Sequence, residues 1–213
     1  MVLKFAVLFC LIPWTYSLLT QNNLVQPQKH FDQQKLAGEW YRVGLAYDSP
    51  SFAKYRDKVL ISKGVLVPNA EGGVNLTMWN MSPLGCMTAS YAYEKTDVPG
   101  HFIYFSKRHS IMKDITVVDS NYTEYILVVK YKNINKEFSQ VSLFGRTHTL
   151  RQELIEKFRQ LSLSLGFSEA SILTPSAIDP CPLQDEHARN TTEPAAVSKI
   201  TPRPTSSTNS RSS

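Results

Sequence analysis

The chain has 213 residues and a net charge of +5, and this length fits one domain with appendages. Its Lys and Arg residues are scattered, with no basic run and no helix that carries a basic face, which argues against a nucleic-acid partner. Its five His residues do not have the spacing of metal ligands, and its Gly pairs lie in turns. We therefore expect neither a metal site nor a cofactor.

The N-terminus has the pattern of a secretory leader. Residues 1–17 predict a signal peptide, because Lys4 is followed by the apolar run 5–12 and by the small residues Thr15 and Ser17. The apolar run is too short to cross a hydrocarbon core of about 30 Å, so we expect no membrane span. The protein is therefore expected to be secreted and extracellular, with residues 18–34 as an N-terminal extension.

The middle of the chain predicts an all-β fold. Short strand-like segments alternate with turn residues from Leu36 to Arg146, the pattern of a barrel. The predicted strands are residues 38–47, 59–68, 73–80, 86–95, 101–107, 114–119, 123–132 and 139–146. Eight strands suffice to close a small antiparallel up-and-down β-barrel with room for one ligand.

One C-terminal α-helix follows the strands. Thr149 is the predicted N-cap, with Gln152 three residues later, and Gly166 is the predicted stop. Apolar residues recur on one face only, which predicts a helix packed on the outside of the barrel; they are Leu150, Leu154, Phe158, Leu161 and Leu165. Residues 185–213 are rich in Ser, Thr and Pro and predict a disordered tail, either bare or O-glycosylated.

The cysteine count predicts one disulfide. Cys10 lies in the predicted leader, which leaves Cys86 and Cys181 for an oxidising compartment. We expect these two to be bonded, and the alternative is two free thiols. Closing a loop of this length stabilises a fold by roughly 4–5 kcal/mol in the chain-entropy model.

Three landmarks resemble the lipocalin family: Gly38-Glu39-Trp40 at the start of the first strand, residues 118–125, and Phe144-Gly145-Arg146-Thr147 before the helix. The resemblance runs from about Lys35 to Cys181, within the predicted lipocalin domain of residues 35–184. It is greatest to the branch that holds neutrophil gelatinase-associated lipocalin, lipocalin-type prostaglandin D synthase and the epididymal retinoid carriers. It implies that Trp40 plugs one end of the barrel and that Arg146 stacks across its indole.

The same resemblance implies a cavity lined by residues that alternate inward along the strands. The implied lining is Trp40, Ser62, Leu66, Met78, Tyr91, Tyr104, Lys132, Gln140 and Phe144. Lys132 would pair with a ligand carboxylate near the mouth. The alternative for each residue is that it fills the barrel as core.

Four N-glycosylation sequons are present, at Asn75, Asn80, Asn121 and Asn190. If Met78 faces the cavity, strand alternation turns Asn75 outward and Asn80 inward. We therefore expect a glycan on Asn75 first, on Asn190 and Asn121 next, and on Asn80 last.

Two specialised functions of the branch lack their residues here. The prostaglandin synthase needs a Cys nucleophile, and Ser62 takes its place without an activating base, so we expect no catalytic residues and no enzyme activity. The siderophore trap needs three cations, and its counterparts are Tyr91, Lys132 (or Tyr131) and Gln140. One cation at most is left to neutralise a multiply charged anion.

These observations favour a secreted, monomeric carrier of a small hydrophobic ligand, either a retinoid or a fatty-acid-like molecule. The alternative is a ligand-poor lipocalin that acts as an extracellular interaction protein recognised by a cell-surface receptor. In that case, Tyr91, Tyr104 and Phe144 would nearly fill the barrel.

Overall fold

The computed structural model describes residues 25–47, 49–82, 85–107, 110–132 and 137–181. The predicted signal peptide, the first part of the predicted extension, the tail and Asn190 lie outside these residues. None of the helices among the described residues is long and apolar enough to cross a membrane.

Eight antiparallel strands form one closed barrel, as the sequence predicts. They are β1 (Gly38–Ala46), β2 (Ser62–Pro68), β3 (Val74–Ser82), β4 (Gly85–Lys95), β5 (His101–Ser106), β6 (Ile111–Ser120), β7 (Tyr125–Lys132) and β8 (Phe138–Gly145). Each strand pairs with the next one, and β1 pairs with both β2 and β8, which closes the barrel. A one-turn helix, α1 (Pro50–Ala53), lies between β1 and β2, and a two-residue strand, β9 (Ile172–Leu173), pairs with the end of β1.

Strand alternation divides the apolar side chains between two clusters. The inner cluster fills the lower barrel and includes Trp40, Leu66 and Ile126. The outer cluster lies between the barrel wall and the C-terminal helix, and it includes Val43, Val141 and Phe158. The barrel wall is therefore apolar on both faces where the helix covers it.

The helix α2 (Gln152–Ser164) lies outside the barrel, as predicted. The predicted N-cap is wrong by two residues, because Arg151 is extended and the helix cannot begin before Gln152. The end is as predicted: Gly166 has φ +91°, its N–H donates to Leu163, and the N–H of Phe167 donates to Ser162. These bonds satisfy the last helical carbonyls in a Schellman motif.

A glycine lets α2 approach the barrel closely. A Cβ on Gly44 of β1 would lie 2.9 Å from the Phe158 ring, too close for any side chain there. Phe158 is fully buried at this contact, and Leu154 is 6% exposed beside it. We therefore expect any substitution of Gly44 to displace α2 from the barrel wall.

The predicted disulfide is confirmed. Cys86, in β4, is bonded to Cys181, 95 residues later, with 5.4 Å between their Cα atoms. Asp179 reinforces this link, because its carboxylate accepts hydrogen bonds from the N–H groups of Met81 and Cys181. The segment after α2 is thereby fastened to the β3–β4 hairpin.

The end of the barrel near Trp40 is sealed. The guanidinium of Arg146 lies 3.6 Å from the centroid of the Trp40 ring, and the Trp40 indole N–H donates to the carbonyl of Leu36 at 2.8 Å. Arg146 also donates to the backbone carbonyls of Lys35, Ala37, Glu39 and Tyr122. Because one planar cation joins four backbone carbonyls across an aromatic face, this end is held shut.

Candidate ligand-binding site

The barrel holds a cavity of about 580 Å³ at the end away from Trp40, which we call the upper cavity. Its walls are the inward-facing residues of the strands, and Phe52 of α1 and Tyr47 border it at the mouth. The lining residues are Arg42, Leu45, Tyr47, Phe52, Leu76, Met78, Asn80, Ala89, Ser90, Tyr91, Tyr104, Ser106, Lys113, Lys130, Gln140 and Phe144. An apolar and aromatic wall with a few polar groups is the usual form of a small-molecule site.

A second, much smaller space lies between the upper cavity and Trp40. This lower pocket has a volume of about 30 Å³ and is lined almost wholly by apolar residues of the inner cluster. It shares Leu76, Lys130 and Phe144 with the upper cavity. The lower barrel is therefore packed as core, whereas the upper barrel is hollow.

A side pocket of about 500 Å³ adjoins the upper cavity at the mouth. It shares Arg42, Leu45, Phe52 and Asn80 with the upper cavity. Its remaining lining comes from the β1–β2 connection and its surroundings: Tyr55, Lys58, Val59, Leu60, Ser62, Met81 and Asp179. The two spaces form one wide entrance.

Most predicted cavity residues meet in these spaces. Five of them line the upper cavity: Met78, Tyr91, Tyr104, Gln140 and Phe144. Leu66 lies in the lower pocket and Ser62 in the side pocket. Trp40 lines none of these three spaces, since it is completely buried within the inner cluster. It is the floor of the barrel, and its assignment to the ligand cavity is wrong.

Lys132 is also misplaced by the sequence-based assignment. Its Nζ lies 2.7 Å from the carboxylate of Glu137, both side chains are more than one-third exposed, and the upper cavity does not include it. Lys132 is the cross-strand partner of Lys113, near the end of β7, so it lies beyond the cavity at the rim. Lys130, two residues earlier on the same strand face, lines the cavity instead.

Three cations line the upper cavity, where the sequence predicted one at most: Arg42, Lys113 and Lys130. Lys113 was missed because β6 begins at Ile111, three residues before the predicted strand. Arg42 could have been found from parity, because it lies two residues after the inward-facing Trp40. Among the described residues that line this cavity there is no Asp or Glu.

Lys130 is held in a cage of tyrosines. Its Nζ donates to the hydroxyl of Tyr93 at 2.7 Å and lies 5.3 Å and 5.2 Å from the ring centroids of Tyr91 and Tyr93. Burial first, and then the positive charges of Arg42 and Lys113, lower the pKa of Lys130 to about 7. This ammonium therefore titrates near neutral pH in the empty protein.

Burial also lowers the pKa of the other two cations in the upper cavity, Arg42 and Lys113. Burial lowers the pKa of the Arg42 guanidinium, which donates to Ser62 Oγ at 2.8 Å and to Asn80 Oδ1 at 3.2 Å. Burial and the neighbouring charge of Lys132 lower the pKa of Lys113. An anion in this cavity would raise the pKa of Arg42 and the pKa of Lys113 again, because an opposite charge stabilises the protonated form.

Ser62 has no base beside it among its described contacts. Its side chain is 2% exposed, and its Oγ accepts the hydrogen bond from Arg42. A guanidinium can only donate, so it cannot remove the hydroxyl proton. The described residues also contain no group of His, Cys, Asp and Glu side chains that could hold a metal ion.

The sequons differ in their surroundings. Asn75 is exposed on β3, whereas Asn80 lines the upper cavity and accepts from Arg42. Asn121 is exposed, but its side chain holds a turn: Oδ1 accepts from the N–H groups of Glu124 and Tyr125, and Nδ2 donates to Glu124.

The sequence also matches known proteins. Residues 37–179 match the model of the lipocalin / cytosolic fatty-acid binding protein family. The chain is 34% identical to prostaglandin-H2 D-isomerase of Mus musculus over 75% of this chain and 85% of that protein. It is 35% identical to a lipocalin of Rhinella marina over 72% of this chain and 85% of that protein.

A solved structure described as the siderocalin Ex-FABP has the same fold, with a TM-score of 0.60 at 20% identity over 70% of this chain and 99% of that chain. The chain therefore belongs to the lipocalin family. Proteins of this family bind small hydrophobic molecules in the barrel, and the upper cavity is the corresponding space here.

Proposed function

We propose that this protein is a secreted, monomeric carrier of a small hydrophobic molecule, either a retinoid or a fatty-acid-like compound. The observation that carries the proposal is the upper cavity of about 580 Å³. This volume falls within the range of small-molecule sites, about 300–1,000 Å³. The predicted signal peptide and the disulfide between Cys86 and Cys181 support secretion.

Ligand binding in this cavity requires no covalent step. The apolar wall formed by Leu45, Met78 and Phe144, with the rings of Tyr91 and Tyr104, removes apolar ligand surface from water. This transfer is favourable by roughly 25 cal/mol per Å² of apolar surface. The protein therefore acts as a passive container, and release follows from dilution or from a competing acceptor.

An enzyme of the prostaglandin-isomerase type is the first competing function, because four relatives with that name are 31–34% identical to this chain. We propose that this chain does not share the activity. Ser62 stands at the nucleophile position and accepts a hydrogen bond from Arg42, which is not a base.

An interaction protein with a filled barrel is the second competing function. The packed lower pocket, at about 30 Å³, favours it for the lower half of the barrel only. The upper cavity keeps its volume although Tyr91, Tyr104 and Phe144 line it. We therefore favour the carrier, and leave recognition of the loops by a cell-surface receptor as the outcome if no ligand is found.

The test is a pair of variants on β4. Retinol, retinoic acid and a fluorescent fatty acid are titrated into the wild-type protein, and native mass spectrometry gives the stoichiometry, which we expect to be one. Tyr91→Arg places another cation inside the cavity and should weaken the binding of retinol, because a buried charge without a partner is unfavourable. Ala92→Arg, on the exposed face of the same strand, should leave retinol binding unchanged.

The outcomes separate the candidate functions. If none of the three ligands binds the wild-type protein, the carrier is wrong and the interaction protein becomes the better account. If retinol binds the Tyr91→Arg and wild-type proteins equally, the site lies elsewhere than the upper cavity.

A further inference from the structure

We propose that the upper cavity selects organic anions and binds them with the negative group innermost, against Lys130, and with the apolar body toward the mouth. This inference rests on the proposed carrier function and adds the class of ligand and its orientation. It differs from the sequence-based expectation, in which a carboxylate pairs with Lys132 near the mouth.

The first observation is a hydrogen bond between Lys130 and Tyr93 that crosses the inside of the barrel, and we call this contact the bar. Lys130 belongs to β7 and Tyr93 to β4, and two strands, β5 and β6, lie between them in the wall. Their hydrogen bond of 2.7 Å therefore crosses the interior rather than following the sheet. About 580 Å³ lies above this bar and about 30 Å³ below it.

The space below the bar is much smaller than the space above it. The volume is about 30 Å³ below the bar and about 580 Å³ above it, and Lys130 lines both spaces. Any ligand that fills the upper cavity must place its inner end beside the Lys130 ammonium.

The second observation is the charge of the cavity wall. Arg42 and Lys113 line the same cavity as Lys130, and their positive charges lower the pKa of Lys130. None of the described residues that line the upper cavity is acidic, and the carboxylate that acts on Arg42, that of Asp179, lines the side pocket and accepts hydrogen bonds from two backbone N–H groups. A carboxylate or phosphate at this place would accept from the Lys130 ammonium and reduce the repulsion among the three cations.

The third observation is the apolar mouth. Leu45, Phe52 and Tyr47 border the upper cavity there, and Tyr47 and Phe52 contact each other edge to face at 4.9 Å between ring centroids. In the side pocket, Tyr55 and Met81 are 52% and 44% exposed. These groups would cover the apolar body of a ligand whose charged end is buried.

The reverse orientation is unfavourable at both ends. It would put the apolar end of the ligand against a buried ammonium, which loses solvation without gaining a partner. The charged end would lie at the rim near Lys113 and Lys132, and the Lys132 ammonium already pairs with Glu137. The inward orientation pairs the charge with Lys130 and gives the apolar body the aromatic mouth.

The test uses a fatty acid with a dansyl group at its far end, 11-(dansylamino)undecanoic acid, and the methyl ester of the same probe. The free acid should bind about tenfold more tightly or better, since the ester has no charge to pair with Lys130. The bound dansyl group should be quenched readily by acrylamide, because it would lie at the mouth.

Two substitutions on one strand assign the effect. Lys130→Met should weaken the acid about tenfold or more and leave the ester unchanged or tighter. Lys132→Met removes a cation from the same strand at the rim, where it acts on Lys113 without lining the cavity, and it should change the affinity for the acid much less than Lys130→Met does. Thermal unfolding of both variants checks that they are folded.

The inference is overturned if acid and ester bind equally, if Lys130→Met binds the acid as tightly as the wild-type protein does, or if the bound dansyl group is shielded from acrylamide. If one of these results occurs while one retinol still binds per chain, the carrier function stands and only the proposed orientation is wrong. If the wild-type protein binds neither retinol nor the probe, the carrier function and the orientation are both rejected.

Discussion

Lys130 Nζ and the Tyr93 hydroxyl lie 2.7 Å apart across the inside of the barrel, joining β7 to β4 where no sheet hydrogen bond could reach. Burial raises the pKa of Tyr93, so its hydroxyl is neutral and offers a lone pair to the ammonium. This contact separates the hollow upper barrel from the packed lower barrel. Several properties of the protein depend on it.

Lys130→Met should change how stability varies with pH. The folded pKa of Lys130, about 7, lies below the ordinary value of 10.5, so the unfolded chain binds the proton more tightly. The cost of burying the charge is complete below pH 7 and decreases as the pH rises toward 10.5. The wild-type protein should therefore gain roughly 2–3 kcal/mol from this group between pH 7 and pH 9, and the variant should not.

The measurement is urea unfolding at pH 6, 7.5 and 9, with Lys132→Met as the control. The other ionisable groups that face Lys130 are the same in both proteins: Arg42 and Lys113 from β1 and β6, and Tyr91, Tyr93 and Tyr104 from β4 and β5. Only the difference between the wild-type and variant curves reports on Lys130. Parallel curves for the wild-type and Lys130→Met proteins would contradict the assigned pKa.

Retinoic acid binding should weaken as the pH rises. The ligand carboxylate is charged throughout pH 6–9, whereas Lys130 of the empty protein loses its proton around pH 7. Binding of the anion must then take up a proton, so affinity should fall by about tenfold between pH 7 and pH 9. Fluorescence titration at several pH values checks this, and retinol, which has no charge, should show no such fall.

Ser62 should not support catalysis. Purified protein should not isomerise prostaglandin endoperoxide above the spontaneous rate, because the Ser62 hydroxyl is buried and bonded to Arg42 without a base. Product analysis by mass spectrometry gives the rate. Turnover in the wild-type protein that disappears in Ser62→Ala would show that the serine is a nucleophile after all.

Glycans should be found on Asn75 and not on Asn80. Asn75 is exposed on the outer face of β3, whereas Asn80 faces the upper cavity and accepts from Arg42 at 3.2 Å. Peptide mapping of protein secreted from cultured animal cells, with Asn75→Gln and Asn80→Gln as paired variants, measures occupancy. A mass decrease on Asn80→Gln alone would reverse the assigned strand faces.

Removing the disulfide should destabilise the fold. Replacing Cys86 and Cys181 by Ser frees a loop of 95 residues and should lower the free energy of unfolding by roughly 4–5 kcal/mol in the chain-entropy model. Urea unfolding measures the loss, and reduced wild-type protein should match the double variant. An unchanged transition in the variant would mean that the contacts of Asp179 alone hold this segment.

The barrel and its closed end could be predicted because they depend on local patterns. Strand alternation and turn residues predict eight strands, the resemblance to the lipocalins implies the stacking of Arg146 on Trp40, and the structure has both. The helix stop at Gly166 depends on one residue that tolerates positive φ, so it too could be predicted.

The helix start and one edge of the site could not be placed from the sequence. Thr149 satisfies the capping pattern, but the extended backbone of Arg151 delays the helix to Gln152. β6 begins at Ile111, directly after the turn residue Ser110, whereas the predicted strand began at residue 114 and left Lys113 outside. Both errors come from boundaries, where local preference is weak and neighbouring strands decide.

By itself, the sequence determined eight strands from turn residues and alternation, and one disulfide from the number of cysteines, while the resemblance to the lipocalins implied which strand face points inward. Only the tertiary structure decided which cation faces the ligand. Lys130 and Lys132 share one strand face, and their difference arises because Tyr93 lies across the barrel from the first and Glu137 beside the second. Contacts between distant strands, which no local pattern records, set the charge and depth of the cavity.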